Sequence, residues 1–520
     1  MAVGKNFLEN LTVAMYENSF TVYREFVQNA ADSIDKAIAS GIEEVENLYI
    51  DISIEYNKRK ITVFDNACGI PMREFEKKML DVADSDKDRD TEKGFRGIGR
   101  LAGLGYCDKL VFQTTSKGED KMSVIIWDGV KLRQIVDDPN QHPSSEELIE
   151  TITEIKYEQA DVEEHFFEVI MEDVIFESDD LLDEEQVIKY LQAVAPVPYT
   201  NYFIFSSKIH EFAEQNNFKI DEYTISVNGN QLFKPYKTKL YEKTAGKKKQ
   251  YDEISDVDFE IFKDDSGKTI AWMWYGISRF EKNIPKINEM RCIRLRKENI
   301  QIGDESTIGS PKFHKESRGN GYFIGEIFAV DNNLIPNARR DYFNPNPATK
   351  QFEKALHPVF YSKLYDLYYY ASKVRSAQKV VSNSQKKEEE YNIKLKNAGF
   401  IDNEEREAAE KEIKVEREKS IKAQREIENR RKDADQNEVL NRVFKEIEKT
   451  YKPPEKTEIP TEKAVSGTDD KGNKYLTQSL SKYSKKEQKI IAKIYNIIKM
   501  ILPKDLSDTV INKIQEELKK

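Results

Sequence analysis

Residues 20–40 set apolar and polar positions at the period of a helix. Val22, Phe26, Ala30, Ile34 and Ala37 or Ile38 recur at three- and four-residue steps, the stripe of a helix laid on a sheet. Glu25, Asn29, Asp32 and Lys36 recur at the same steps along a neighbouring face, and Gly41 offers a C-terminal stop. One helix therefore carries a carboxylate, an amide and a second carboxylate in a row above an apolar back. Alone, such a row is only the wet side of an amphipathic helix.

The period then changes to two. Residues 47–56 alternate apolar and polar as a strand does, residues 57–60 supply a turn, and residues 61–64 return as a second strand. That strand runs into Asp65-Asn66-Ala67-Cys68-Gly69-Ile70, which places a carboxylate beside a tight bend where backbone can close on a flat ligand. Phe75, Met79 and Val82 mark a further helix, and residues 83–93 have almost no apolar side chains and read as a mobile lid. The lid ends in Gly94-Phe95-Arg96-Gly97-Ile98-Gly99-Arg100, a glycine-rich entry into an apolar helical pattern that suits a phosphate cradle. It lacks the Gly-Lys-Ser/Thr ending of a Walker A loop, and no strand leads into it as a dinucleotide fingerprint requires. Residues 106–115, 122–127, 151–155 and 166–171 read as strands. Hairpins outnumber strict alternation, so the expected fold class is α+β, opening with an α/β sandwich that has helices on one face of a mostly antiparallel sheet.

Composition narrows the classes. Of 520 residues, 38% are hydrophobic and 34% charged, and no run approaches the roughly 18 apolar residues of a membrane span. The first ten residues show no secretory signal, and Cys68, Cys107 and Cys292 lack metal-ligand spacing, so a reducing, cytoplasmic setting is expected. A net charge of −11 argues against a nucleic-acid binder over its whole surface but leaves room for local basic patches.

Three motifs stand in fixed order: Glu25-x3-Asn29-x2-Asp32, Asp65-x3-Gly69 and Gly94-x-x-Gly97-x-Gly99. Together they resemble the Bergerat-fold ATPases, the superfamily of gyrase B, the ninety-kilodalton heat-shock chaperones, histidine kinases, MutL and the MORC proteins. Arg24-Glu25 through Asp32-Ser33-Ile34-Asp35-Lys36 is similar to the chaperone helix, whereas Gly94-Phe95-Arg96-Gly97 and the short lid look like MutL. The resemblance implies ATP and Mg²⁺ as ligands. Glu25 would orient or deprotonate the attacking water, and Asn29 would give an oxygen to the metal. Asp32 would hold the nucleotide through water or sugar, Asp65 would accept the adenine amino hydrogen, and Gly69 would let backbone close on the ring. Gly97, Ile98 and Gly99 would offer N–H groups to the phosphates. Lys36, Ile70, Gly94, Phe95, Arg96 and Arg100 complete the expected nucleotide-contacting set. The family's Gly-Thr pair before its last core strand is absent: Glu164-His165 stands there, and His165 reads equally as a surface residue.

Beyond residue 175, strand-like runs at 223–227, 270–275, 293–296 and 322–330 and a helical run at 352–374 suggest a transducer-like α/β middle domain. Within it, Leu334-Ile335-Pro336-Asn337-Ala338-Arg339-Arg340-Asp341-Tyr342-Phe343-Asn344 is similar to the chaperone loop that reaches into the ATP site of its own chain. Laid over that loop, Arg340 takes the γ-phosphate arginine's place and Asn344 the glutamine's, with Arg339 an alternative register. From about residue 376, charged residues dominate. Ile413, Ile421, Ile427, Ala434, Leu440 and Ile447 recur near seven-residue steps, consistent with a coiled coil, a helical hairpin or a lone solvated helix. Two short apolar-striped helices close the chain and must bury against a partner chain or dock back in cis.

The expected organisation is an ATP-binding domain over 1–175, a middle domain over 176–375, a charged helical arm over 376–450, a linker over 451–480 and C-terminal amphipathic helices over 481–520. The expected activity is that of an ATP-hydrolysing homodimeric clamp without membrane contact. Its client is a polypeptide if the chaperone likeness governs, or DNA if the MutL/MORC likeness does.

Overall fold

The computed structural model describes residues 18–519 except 44, 82–98, 310, 452–474 and 481. The expected lid and motif residues Gly94, Phe95, Arg96, Gly97 and Ile98 lie outside the described residues. The chain divides into two compact units, one ending at Tyr365 and one beginning at Asp366.

In the first unit, α1 (Thr21–Ser40) forms over the residues whose period predicts it. Gly41, at φ 64°, stops it by turning its N–H back to the carbonyls of Ala37 and Ile38. Then come β1 (Tyr49–Glu55), β2 (Lys60–Asp65), α2 (Met72–Leu80), β3 (Cys107–Thr115), β4 (Lys121–Asp128) and α3 (Gly129–Asp137). Next are α4 (Ser145–Ile152), β5 (Thr153–Gln159), β6 (Phe166–Val174) and α5 (Glu184–Val194). The strand expected from residue 151 starts two residues later, because Ser144 and Glu147 form a capping box and the helix it opens runs to Ile152.

These strands build an eight-stranded sheet in the order β5-β4-β3-β6-β2-β1-β7-β8. Its last two members, β7 (Thr224–Val227) and β8 (Asn230–Gln231), come from beyond residue 175. β7 pairs in parallel with β1, Ile52 opposite Val227, while the pairs from β5 to β1 are antiparallel. Val22, Phe26, Ala30, Ile34 and Ala37 of α1 and Val187 and Leu191 of α5 share one core with Ile50, Ile52, Ile61, Val63, Leu110, Phe112 and Ile225 of the sheet. The opposite face carries only a small cluster around Val111, Val124 and Ile170. Helices therefore lie on one face, as the hairpin-rich pattern predicts.

After α6 (Ser206–Gln215) come a two-stranded ribbon, β9 (Lys239–Thr244) and β10 (Lys247–Glu253), and a second sheet. That sheet comprises β11 (Asp256–Lys263), β12 (Thr269–Ile277), β13 (Cys292–Lys297), β14 (Ile300–Ile302) and β15 (Ile324–Ala329), ordered β11-β12-β15-β13-β14. Trp272, Trp274, Phe328 and Phe203 fill its core. A buried charge cluster ties this sheet to the first. Lys234 stands 2.9 Å from Glu326, Arg296 pairs with the other oxygen of Glu326, and all three side chains are sealed from solvent. Arg296 also donates to the carbonyl of Ala193 at the end of α5, and Asn299, bonded to Lys234, donates to that of Asp221 just before β7. Burial raises Glu326, but Arg296 and Lys234 outweigh it and hold the carboxyl at about 2. Such buried charges are tolerable only when their hydrogen bonds are filled. The unit closes with α7 (Pro347–Pro358).

The second unit is a helical hairpin with a docked tail. α8 (Tyr365–Lys396) and α9 (Asn403–Asp435) run antiparallel. Tyr370 donates to the Arg430 carbonyl, Ser384 to that of Glu416, and Lys394 pairs with Glu405. Ala377 and Val381 meet Ala423 and Ile427 across the pair, while Ile421 stays exposed. Asp402 caps α9, and Glu405 reaches back to the N–H of Ile401. After α10 (Glu438–Thr450), α11 (Lys485–Ile501) and α12 (Lys504–Lys519) pack on the hairpin turn, with Ala492, Tyr495 and Ile511 clustered around Ile401. Ile490, Ile494, Ile497 and Ile501 remain exposed. No helix among the described residues is long and apolar enough to cross a membrane.

Candidate functional site

The polar face of α1 is buried, although it carries Arg24, Glu25, Gln28 and Asp32. The guanidinium of Arg24 lies 3.6 Å from Oε1 of Glu25, and Nε of Arg340 lies 3.4 Å from the same oxygen. Neither contact is a hydrogen bond: among the described residues Oε1 of Glu25, Nε of Arg24 and both amide atoms of Gln28 lack hydrogen-bond partners. Each such buried orphan costs roughly 1–3 kcal/mol. The chain presses close here. A Cβ on Gly99 would fall 2.3 Å from Oε2 of Glu25, so a side chain there would have to displace the carboxylate. Asn29, half-buried, follows Glu25 by one turn, and Lys36 is exposed near the end of the helix. Arg100 donates to the carbonyl of Asp81, and burial holds its guanidinium down to about 10.

Asp65 ends β2 in a second buried pocket. Burial raises its carboxyl to about 7, against the Ala67 N–H and the Ser33 hydroxyl, which both favour the ionised form. Gly69 takes φ 62°, and a Cβ there would lie 1.9 Å from the Thr115 carbonyl oxygen. That clash accounts for glycine at the bend. The Ile70 N–H donates to the Thr114 hydroxyl, which donates in turn to the Phe166 carbonyl, while Ser116 donates to that of Cys68. His165 is largely buried, with Nδ1 2.7 Å from the Ala67 carbonyl oxygen, so it belongs to this wall and not to the open surface. Sequence pattern does not single out Ser33, Thr114 or Ser116 as parts of the site, and of the two readings it leaves for His165, burial favours the site wall over the surface. A period-two strand predicts that Thr114 faces one side but not which chain crosses there.

The third element comes from far along the chain. The loop before α7 folds back on itself through a bridge between Pro336 and Phe343. Arg340 sits at φ 54°, and its carbonyl accepts from the N–H of Gly303, just after β14. This turn aims the Arg340 side chain at Glu25, while Arg339 is exposed and offers its carbonyl to Arg24 at 3.4 Å. Asn344 lies at the foot of the loop, half-buried, its N–H bonded to the Ile335 carbonyl.

The arrangement sets one carboxylate between two guanidinium groups beside a glycine, with a second, protonatable carboxylate at a bend lined by hydroxyls. It can polarise a water at Glu25, balance anionic oxygens with Arg24 and Arg340, and hold a hydrogen-bond donor at Asp65. Among the described residues no group of three or more His, Cys, Asp or Glu could hold a metal ion.

Residues 16–161 match the model of the family described as histidine kinase-, DNA gyrase B-, and HSP90-like ATPase. Over that segment, less than a third of its length, the chain carries an ATPase domain of this type, which implies ATP binding and hydrolysis at the level of the superfamily. The chain is similar to Chaperone protein HtpG of Clostridium perfringens, 26% identical over 145 residues that make up 25% of this chain and 23% of the relative. HtpG of Oceanobacillus iheyensis is 24% identical over 183 residues, 29% of either chain. HtpG of Hydrogenovibrio crunogenus is 27% identical over 136 residues, 22% of this chain and 21% of its own. The chain thus spans about a quarter of the length of the curated relatives it matches. The segment matched by the family model contains Glu25, Asn29, Asp32 and Asp65 but not Arg340.

Proposed function

We propose that the chain is an ATP-driven clamp in which Glu25 is the general base and Arg340 the γ-phosphate sensor. The observation that carries this reading is the placement of Arg340 Nε 3.4 Å from Glu25 Oε1, beside Gly99, where a Cβ would press on that carboxylate. Glu25 would take a proton from, or orient, the attacking water, with Arg24 fixing its carboxylate. Arg340 would spread the charge that builds on the transferring phosphoryl oxygens. Asp65 would select adenine through its amino group, and Thr114 would hold the bend at Ile70 against it. Gly99 and Arg100 would meet the phosphates, and Asp32 would support the nucleotide through water or sugar. Mg²⁺, when bound, supplies charge neutralisation between the phosphates, and Asn29 is the residue that would hold it.

The HtpG relatives support a polypeptide client, and the exposed isoleucine face of α11 supports self-association through a second copy. A DNA client is the second reading, favoured by the lysine-rich β9–β10 ribbon. Glu25→Ala tests the core of the proposal. It should abolish phosphate release while calorimetric ATP affinity stays within a few-fold, and wild-type turnover in that variant would remove Glu25 as base.

A further inference from the structure

One projection of this acidic chain is strongly basic. Residues 237–249 hold six lysines and a single glutamate, a local charge of +5 in a chain of −11. They form most of the β9–β10 ribbon, whose two-residue turn places Ala245 at φ 50° and Gly246 at φ 76°, the tight geometry that matches strand twist. Lys237, Lys239, Lys243, Lys247, Lys248 and Lys249 are all exposed. Among the described residues none of them forms an ion pair: Glu242, across from Lys249, is taken by Lys282. Lys243 stands directly opposite Lys248, a like-charge cross-strand pair that costs stability in the free protein. The ribbon is rigidly rooted, because Asn288 both donates to and accepts from the backbone of Tyr241, and the Ile254 N–H donates to the Thr238 carbonyl.

We propose that the β9–β10 ribbon is a docking surface for duplex DNA. A two-stranded ribbon fits the B-form major groove, about 12 Å wide. Same-face positions along a strand repeat at about 6.8 Å, which matches every second phosphate of a DNA strand at about 3.4 Å of rise each. Lysines on both ribbon faces can therefore meet both groove walls: Lys243 and Lys248 on one face, Lys247 and Lys249 on the other. Between Lys243 and Lys249 the sequence holds no carboxylate, and the nearest across the ribbon, Glu242 opposite Lys249, is paired with Lys282. The A-form RNA major groove is too narrow for the same entry. The proposal does not depend on the catalytic roles, since no residue placed at the ATPase pocket lies in the ribbon.

The test is fluorescence anisotropy of a labelled duplex of about 30 base pairs, roughly three helical turns. The full chain without nucleotide is titrated between roughly 50 and 200 mM salt. The wild type should bind with a steep salt dependence, and Lys243→Ala, Lys247→Ala, Lys248→Ala and Lys249→Ala combined should weaken binding by tenfold or more. The log–log salt slope should flatten by roughly 3–4, about 0.9 for each phosphate that the variant leaves unneutralised. The fourfold arginine replacement should bind like wild type, and an unchanged circular-dichroism melting curve for each variant shows that folding is intact. No salt-dependent DNA binding, equal binding by the alanine variant, or equal affinity for duplex RNA, polyglutamate or anionic vesicles would each overturn the assignment.

Discussion

Gly99→Ala isolates the geometry around Glu25 better than removal of the carboxylate itself. The new methyl carbon would stand 2.3 Å from Oε2 of Glu25, against a C···O contact distance of roughly 3.3 Å, so one group must yield by about 1 Å. The carboxylate is the softer group, because it ends a flexible side chain, whereas its Cβ, 3.3 Å from the same point, is fixed on α1. Stability should therefore change little. Catalysis should not escape, since a misplacement of about 1 Å at a reacting group can cost on the order of 10²-fold in rate, roughly 2.7 kcal/mol. A coupled ATPase assay should report kcat down by about two orders of magnitude, with ATP affinity by calorimetry within a few-fold. The Glu25→Gln, Gly99→Ala double variant should be no slower than Glu25→Gln alone, because both changes act through one carboxylate. Unchanged kcat in Gly99→Ala, or a fully additive double variant, would refute the claim that this glycine serves Glu25.

The remaining predictions concern the other two arms of the site. Asp65 is raised from 3.8 to about 7, so between those values the folded protein holds a proton that the unfolded chain has lost. Its contribution to stability is full below about pH 4 and falls as pH rises to 7, by at most about 4 kcal/mol. Scanning calorimetry at pH 5 and pH 8 should show a stability drop that Asp65→Asn reduces, and parallel pH profiles would contradict the burial argument. ATP affinity should rise with pH through 7, since the ionised carboxylate is the stronger acceptor for the adenine amino group, and this dependence should vanish in Asp65→Asn. Arg340→Ala should lower turnover about tenfold or more with little loss of ATP affinity. Arg339→Ala, whose carbonyl survives the change, should have a smaller effect, and the reverse ranking would put the loop register off by one.

Much of the pocket was legible because it rests on local order. The apolar stripe of α1, its stop at Gly41 and the burial alternation of β1 and β2 depend only on spacing along the chain. Glu25, Asn29 and Asp32 share a face because helix geometry requires it, and Gly69 follows Asp65 because that bend admits no Cβ. The hairpin arm was legible only in part: Ile421 lies eight residues after Ile413 and six before Ile427, so it falls off the strict seven-residue step and is exposed, while Ser420 on that step is buried. Heptad spacing names a stripe, and a residue one position off it turns to solvent.

Amino-acid order alone determined the helix that carries the candidate base, the strand that delivers Asp65, and the glycines where backbone must come close. Tertiary structure decided what crosses those elements. It set β7 parallel to β1 from more than 170 positions away, brought Thr114 and His165 to the bend beside Asp65, and carried the Arg339–Arg340 turn across 315 positions to Arg24 and Glu25. The physical reason is the range of the forces. Periodicity and backbone sterics act within a turn or a pleat, whereas burial and ion pairing depend on which distant surfaces happen to exclude water together.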